Sequence, residues 1–556
     1  MAGISQQLHS DKTQLAGEPA ARPPIDIKKV GPWILLATIL GSSMVFIDSS
    51  VVNVALPRLQ TDLNATATQV QWVVEAYALF LSALILVGGS LGDSFGRKRI
   101  FAIGIALFAA ASIGCGFSQN VTQLIVTRAL QGVGGAMLTP GSLSIIRAAF
   151  PAHQRGRAIG MWSGFSAITT VLGPLLGGWL VQYATWRWIF FINIPLAIIV
   201  LIVLYWRVPE SRNARAKMYG QGLPLPCNHS HSIIKPSLPL DWLGALLATI
   251  GLGSLVYGLI ESNNLGLSHP LVLCMVALGI TALVAFIFVE SRLRAPMMPL
   301  LLFHSRTFSG TNLLTLMLYA ALGGTLFFLP FNLILVQGYS PTAAGAAFLP
   351  FTLLLFGLSR WSGGLVNRYG AKLPLVIGPL IAAVGFFLFS LPGIGGSYWT
   401  TFFPAVVVLG IGMATTIAPL TTTVLGAVDD RYAGIASGIN NAVARVAGLL
   451  AIAVLSIFVL HAFNSSLDSR LNALHVSPGV RQLLEAQRNK LAGAQVPAAA
   501  HGTLHAAMQH AIAAAFVDSF HLAMWIGVGL ALTSALCAFL LVEGKPTPKT
   551  SNPTPF

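Results

Sequence analysis

Long apolar runs broken by short polar turns dominate the chain. Each run is about 20 residues, which as a helix crosses a hydrocarbon core of about 30 Å. Backbone groups in lipid must find partners within their own segment or in a closed barrel. Continuous apolarity, without alternation of period two, selects helices. The pattern predicts fourteen spans, over residues 33–55, 72–91, 100–117, 122–145, 158–181, 187–206, 242–261, 270–290, 309–337, 343–366, 373–391, 398–425, 434–461 and 519–542. The fold class expected is an all-α integral membrane protein.

Two turns repeat. GGSLGDSFGRKR (Gly88 to Arg99) is echoed by GGLVNRYGAK (Gly363 to Lys372). Gly89, Leu91, Gly96 and Lys98 reappear as Gly363, Leu365, Gly370 and Lys372, whereas Asn367 replaces Asp93. Each copy closes the second span of a set of six. The expected organisation is therefore a tail (1–32), a six-helix bundle (33–206), a polar linker (207–241), two inserted helices (242–290), a short loop (291–308), a second six-helix bundle (309–542) and a tail (543–556). Paired halves about an axis along the membrane normal, with a central site, are a transporter plan. A long outer loop, 462–518, interrupts the second bundle. Its Ala- and His-rich part suggests an amphipathic helix on the membrane surface, serving either partner docking and gating or a solvated tether.

Composition agrees with a membrane class. Hydrophobic residues are 55% of 556 and charged residues 9%. Mean hydropathy is +0.76, more than a soluble domain can bury. The net charge of +15 raises the question of nucleic acid, and the placement of the charge excludes it. An even number of spans puts both termini on one side. If that side is cytoplasmic, its segments hold 23 of the 32 Lys and Arg, leaving six in outer loops and three in spans. That bias is the positive-inside rule. No apolar core precedes Trp33, so the first span is read as an uncleaved anchor rather than a signal peptide. Cys115, Cys274 and Cys537 fall in spans and Cys227 in a loop, which suggests no disulfide framework.

Ionisable residues inside spans cost at least about 2.5–3.5 kcal/mol at mid-depth, so each asks for a partner or a use. Asp48 lies 15 residues into the outward-running first span, about 22 Å at about 1.5 Å per residue. Arg128 lies 6 residues into the inward-running fourth, about 9 Å from the other edge. Both reach nearly one depth and could meet. Burial favours a neutral carboxyl and a neighbouring guanidinium favours the charged form, so such an acid can exchange a proton as its exposure changes. The alternative is a static bond joining two helices. Glu75, Glu261 and Asp518 are placed near outer span ends, where headgroup-level acids are cheap. Glu75, within WVVEAY, is either a second titrating or substrate-facing acid or part of an interfacial belt. Arg445 sits near mid-depth with Asn440 and Asn441, a polar face that serves either packing or a cavity.

GGSLGDSFGRKR resembles the signature of the major facilitator superfamily between its second and third helices. LIVTRALQGVGGAM (Leu124 to Met137) resembles the fourth-helix signature, and LGPLLGGWL (Leu172 to Leu180) the fifth-helix antiporter signature. FIDSSVVNVALP and WRWIFFINIP are similar to the fourteen-helix drug:proton antiporters of the EmrB/QacA type. The resemblance implies the major facilitator fold, with functional roles for the first-span acid Asp48 and the fourth-helix Arg128. It also implies a cytoplasmic gate at Gly89, Asp93, Gly96, Arg97, Lys98 and Arg99. The charged turn is either a latch between halves or a topology anchor, with Asn367 making the second copy weaker. Gly89 and Gly92 are expected to admit a neighbouring helix, and Gly96 to permit the turn. In the antiporter motif, Pro174 bends the helix and Gly173, Gly177 and Gly178 admit a neighbour, controlling leakage or simply packing.

Other chemistry is thin. CNHSH offers Cys227, His229 and His231, too few and too close for a closed metal site. His501 and His505 lack further ligands, so no metal is expected. No phosphate-binding loop and no nucleophile–base constellation stand out, so neither cofactor nor enzyme activity is expected. The expected function is proton-coupled efflux of amphipathic drugs or hydrophobic metabolites from the bacterial inner membrane, powered by an ion gradient. Expected partners are small substrates, protons and membrane lipid, with a periplasmic adaptor and outer-membrane duct in double-membrane cells. Spans 9–13 contain no Asp or Glu, which disfavours dications and leaves monocations, neutral lipophiles and anionic metabolites open. The alternatives are an exporter of an anionic metabolite or lipid, a membrane-embedded enzyme, and a transporter-like receptor or scaffold.

Overall fold

A computed structural model of the chain describes residues 27–208, 241–293, 296–429, 432–497 and 500–544. Among the described residues there is no strand, and long helices make up nearly everything. The first set is α1 (Ile27–Asp62), α2 (Ala67–Phe95), α3 (Arg97–Phe117), α4 (Val121–Ala149), α5 (Ala152–Tyr183) and α6 (Asn193–Arg207). A hairpin follows, α7 (Trp242–Leu265) and α8 (Pro270–Arg292). The second set is α9 (Arg306–Phe331), α10 (Leu349–Tyr369), α11 (Lys372–Phe389), α12 (Tyr398–Gly426), α13 (Ala433–Ala473) and α14 (Thr503–Leu541).

Twelve stretches among the described residues are long and apolar enough to cross a membrane. The helices outside that set are α4 and α5, with 29 and 32 residues. Length does not keep α4 out. It carries Arg128 and Gln131, both buried inside the protein rather than turned to lipid.

Packing repeats between the sets. Helix α1 lies against α5 and α6, as α9 lies against α13 and α14. Both α2 and α3 pack on α4, as both α10 and α11 pack on α12. The hairpin does not stand apart, because α7 touches both α2 and α13. Leu79 of α2, Leu252, Val256 and Ile260 of α7, and Leu449 and Ala453 of α13 form one apolar cluster there. At one end of this seam, Trp72 donates to Glu261 (3.1 Å) and Thr68 to Asn264 (3.3 Å). From the other side of α7, Asn263 donates to Ser456 of α13 (3.1 Å).

Helix ends differ from the expected spans for local reasons. Helix α2 starts at Ala67, before the apolar run, because Thr66 and Gln69 form a reciprocal capping box. Glu75 is therefore about two turns inside the helix, not at its mouth. The expected loop 462–518 is mostly helical. Helix α13 runs 41 residues to Ala473 and α14 starts at Thr503. At about 1.5 Å per residue α13 is about 62 Å long, twice the hydrocarbon thickness, so both helices project beyond it. From Thr503 onward the Ala- and His-rich stretch is the first part of α14 rather than a separate helix. Alanine propagates helices well, and after Gly502 no glycine or proline stops α14 before its span.

Of the remaining connection, residues 474–497 form a folded cap rather than a tether. Pro478–Glu485 forms a short helix whose Val480 and Leu484 are buried. Asp468 at the top of α13 accepts from Arg481 (3.1 Å) and from Arg488. Arg470 donates to Asp518 across the α13–α14 pair (2.7 Å). The cap also reaches the first set: Gln60 donates to the Lys490 carbonyl (3.0 Å), and the Lys490 ammonium to Asn64 (2.7 Å).

Candidate functional site

Asp48 on α1 and Arg128 on α4 do meet, with Nη1 to Oδ2 at 2.5 Å, and are 0% and 1% exposed. Such a pair is tolerable in a low-dielectric interior only when its other lone pairs and protons are satisfied. The surrounding residues do this. Arg128 Nε donates to the Val73 carbonyl (3.0 Å) and Nη1 to Gln131 Oε1 (2.7 Å). Gln131, one turn along α4, donates through Nε2 to Asp48 Oδ1 (2.8 Å) and to Ser112 of α3 (2.8 Å). Asn193 at the start of α6 reaches Asp48 Oδ1 (3.5 Å) and Ser112 (3.3 Å). The guanidinium also lies 4.2 Å from the centre of the Tyr77 ring, a cation–π contact.

This cluster abuts a central cavity of about 330 Å³. Arg128 and Tyr77 line the cavity, whereas Asp48 does not, so the guanidinium stands between the carboxylate and the open space. The walls come from both sets of helices: Asn53, Glu75 and Ser82 from the first, Tyr319, Leu326 and Arg445 from the second. Glu75 is fully buried, and neither of its carboxylate oxygens has a hydrogen-bond partner. It thus lines the cavity, the first of the two places the sequence left open for it. Arg445 lines the same cavity and makes no hydrogen bond or ion pair with a described residue. Asn440 turns elsewhere, donating to Asn312 (3.2 Å) and Thr315 (2.7 Å) of α9. Asn441 is exposed and donates to the Ser437 carbonyl of its own helix (2.9 Å).

Toward the charged turn, Gly96 caps α2 with φ 109°, a backbone that favours glycine. Arg97 donates to the Ser144 carbonyl of α4 (3.2 Å), tying the turn to that helix, and Lys98 and Arg99 also have partners. The side chains of Asp93 and Asn367 lie outside the described residues. The close helix approach falls one residue earlier than expected. Gly88 abuts the Ala136 backbone of α4, whereas a Cβ at Gly89 would find Pro140 at an ordinary 3.5 Å and one at Gly92 would find Arg97 at 3.9 Å.

On α5 the small residues serve two neighbours. Gly173 and Gly177, one turn apart, press on α1 at Ser50 and Val51, next to Asp48. Gly178 abuts the Pro341 carbonyl of the second set, and Gly345 answers by abutting the Pro174 carbonyl. Nearby, the Thr342 amide donates to Gln182 Oε1 (3.3 Å). Among the described residues no three His, Cys, Asp or Glu side chains gather as a metal site. Cys227, His229 and His231 lie outside them, and His501 precedes the helix that carries His505.

The profile of the major facilitator superfamily matches residues 38–452. The chain belongs to the major facilitator superfamily. It is a multi-pass membrane transporter of that superfamily, not an enzyme. It is 30% identical over 548 residues to the tetracenomycin C resistance and export protein of Streptomyces glaucescens, covering 98% of this chain and 97% of that protein. It is 32% identical over 456 residues to the multidrug resistance protein Stp of Mycobacterium tuberculosis, covering 81% and 80%. In fold, it resembles a bacterial homologue of the human lysosomal transporter Spinster, with a TM-score of 0.64, 17% identity, and coverage of 94% of this chain and 99% of that one.

Within this major facilitator fold, sequence reasoning overlooked Gln131, Ser112, Asn193 and Tyr77. All four are neutral, so a search for charges in spans passes over them. Gln131 gave a usable signal, one turn from Arg128 on the same face. Asn193 sat in WRWIFFINIP as the lone amide of an apolar run. Ser112 gave none.

Proposed function

We propose that the protein exchanges protons for amphipathic small molecules, exporting them from the cytoplasm. The observation that carries this reading is the sealed Asp48–Arg128 cluster set directly against a cavity walled by both sets of helices. Asp48 is the main proton carrier, and Arg128 is the partner that holds it charged until solvent or substrate rearranges the cavity. Glu75 is a second titrating acid facing the substrate. The turn from Gly89 to Arg99 gates the cytoplasmic side, and the α5 glycines with Pro174 hold the opposite side shut. The relatives named for resistance and export support the substrate class.

In the same reading, residues 33–206 and 309–542 are two six-helix bundles that rock about the cavity, 242–290 are inserted, and fourteen helices cross the membrane. Both termini are cytoplasmic, in agreement with the distribution of Lys and Arg, and the membrane is a bacterial inner membrane. In a cell with an outer membrane, delivery beyond the periplasm calls on an adaptor and a duct. A membrane potential adds about 2.3 kcal/mol per charge per 100 mV, so net charge movement matters to the cycle.

The test is purified protein in liposomes with an imposed pH gradient and a pH-sensitive dye inside. Lipophilic cations, neutral compounds and organic anions are added to wild type and to Asp48→Asn. Substrate-evoked proton movement that disappears in Asp48→Asn is the expected result. Movement that survives the substitution removes Asp48 from the coupling step and points to Glu75. An anion-export reading draws on Arg445, which has no acceptor among the described residues, and the same panel separates it.

A further inference from the structure

We propose that the cavity is built for zwitterionic amphiphiles, binding an ammonium at Glu75 and an acidic group at Arg445. The inference rests on the transport reading above and specifies its cargo.

Among the described residues, three charged side chains line the cavity: Glu75, Arg128 and Arg445. Arg128 is already neutralised, since Asp48 holds it from behind at 2.5 Å and Gln131 and Val73 take further N–H groups. It therefore offers the cavity a ring-stacked edge rather than a free charge. Glu75 and Arg445 are different. Both Glu75 oxygens are buried without a hydrogen bond, and the nearby Gln71 side-chain nitrogen is itself without a partner. Arg445 has no acceptor among the described residues, and no ion pair joins it to Glu75. One group sits on α2 and the other on α13, so they belong to different sets of helices.

Leaving a buried charge unsatisfied costs more than leaving a paired one, and Arg–carboxylate geometry rewards a bidentate acceptor. The buried Glu75 carboxylate and the partly exposed Arg445 guanidinium, opposite in sign and lining one largely apolar chamber, are satisfied together by a ligand that brings both complementary charges. Leu322, Leu326, Leu449 and Ile452 supply the apolar body of the site. A pure cation would leave Arg445 unanswered, and a pure anion would leave Glu75 unanswered. Antiport also follows: a proton arriving on Glu75 removes the ammonium's counter-charge and ejects the cargo, whereas an anion held by Arg445 alone would have no proton to compete with.

Binding is measured with purified full-length protein at mildly alkaline pH, using a biphenyl amino acid, its decarboxylated amine and its deaminated acid. These share one skeleton and differ only in charge. Wild type is expected to bind the amino acid at least about tenfold more tightly than either analogue. Glu75→Gln should erase its advantage over the acid, and Arg445→Gln its advantage over the amine. Glu75→Asp and Arg445→Lys should preserve the wild-type order, which separates charge recognition from misfolding. Equal binding of all three by wild type, binding of none, or a uniform loss in both Gln variants overturns the proposal. Zwitterion preference without substrate-evoked proton flux would sink antiport and leave this site standing. Flux without that preference would do the reverse.

Discussion

The two sets of helices treat buried polarity in opposite ways. In the first, an acid and a base on α1 and α4 close on each other, and Gln131, Ser112, Asn193 and Tyr77 complete the cluster. In the second, α9 and α13 hold a neutral knot, Asn312, Thr315 and Asn440, while Arg445 lines the cavity without a hydrogen bond or ion pair to a described residue. A repeated packing scheme has thus been filled with unlike chemistry. The first set stores its charge internally, where only a rearrangement releases it. The second presents its charge outright.

The contrast is sharpest in stability. Asp48→Asn leaves Arg128 buried beside a neutral amide and should destabilise the protein by about 3–5 kcal/mol, in addition to abolishing coupled flux. Arg445→Met removes a charge that has no partner and should leave thermal stability unchanged or raised, while altering substrate choice. Thermal unfolding in detergent reads both. A loss as large in Arg445→Met as in Asp48→Asn would dissolve the distinction between stored and presented charge.

A smaller effect is expected where the two sets meet. Gly178→Val places a branched side chain against the Pro341 carbonyl and should cost about 1–3 kcal/mol in the state shown here. Cysteine accessibility on the cap side should rise as the closed state is disfavoured, and unchanged accessibility would remove α5 from that seal. Next comes the neutral knot: Asn440→Ala removes two hydrogen bonds and should cost about 1–2 kcal/mol with little change in proton coupling. Coupling lost in that variant would show that the second set also stores function in its interior. Smallest is Asp468→Asn in the cap. Its pairs with Arg481 and Arg488 are partly exposed, so stability should shift by less than about 1 kcal/mol. Faster protease cleavage within 474–502 is the readout.

Much of this was legible along the chain, and the failures have physical causes. The all-helical membrane class follows from apolar runs that lipid forces into helices. The matching depth of Asp48 and Arg128 follows from rise per residue, and the packing of α1 on α4 turns it into contact. The depth of Glu75 did not follow, because Thr66 and Gln69 begin α2 before hydrophobicity does. The cap did not follow either, because its partners, Gln60 and Asn64, lie hundreds of positions from Lys490. Local pattern carries no record of so distant a partner. The same blindness moved the close contact from Gly88 to Gly89: both are glycines, and only the position of α4 distinguishes them.

The inserted hairpin bears on how such a molecule can move. Helix α7 is stapled to α2 by Trp72–Glu261 and Thr68–Asn264, and to α13 by Asn263–Ser456, all near one end. Toward its other end the contacts are apolar, through Leu252 and Val256. Directional bonds resist sliding and apolar contacts permit it. The α2–α13 seam is therefore pinned at one end and left smooth along the rest, like a sheaf of papers stapled at a single corner.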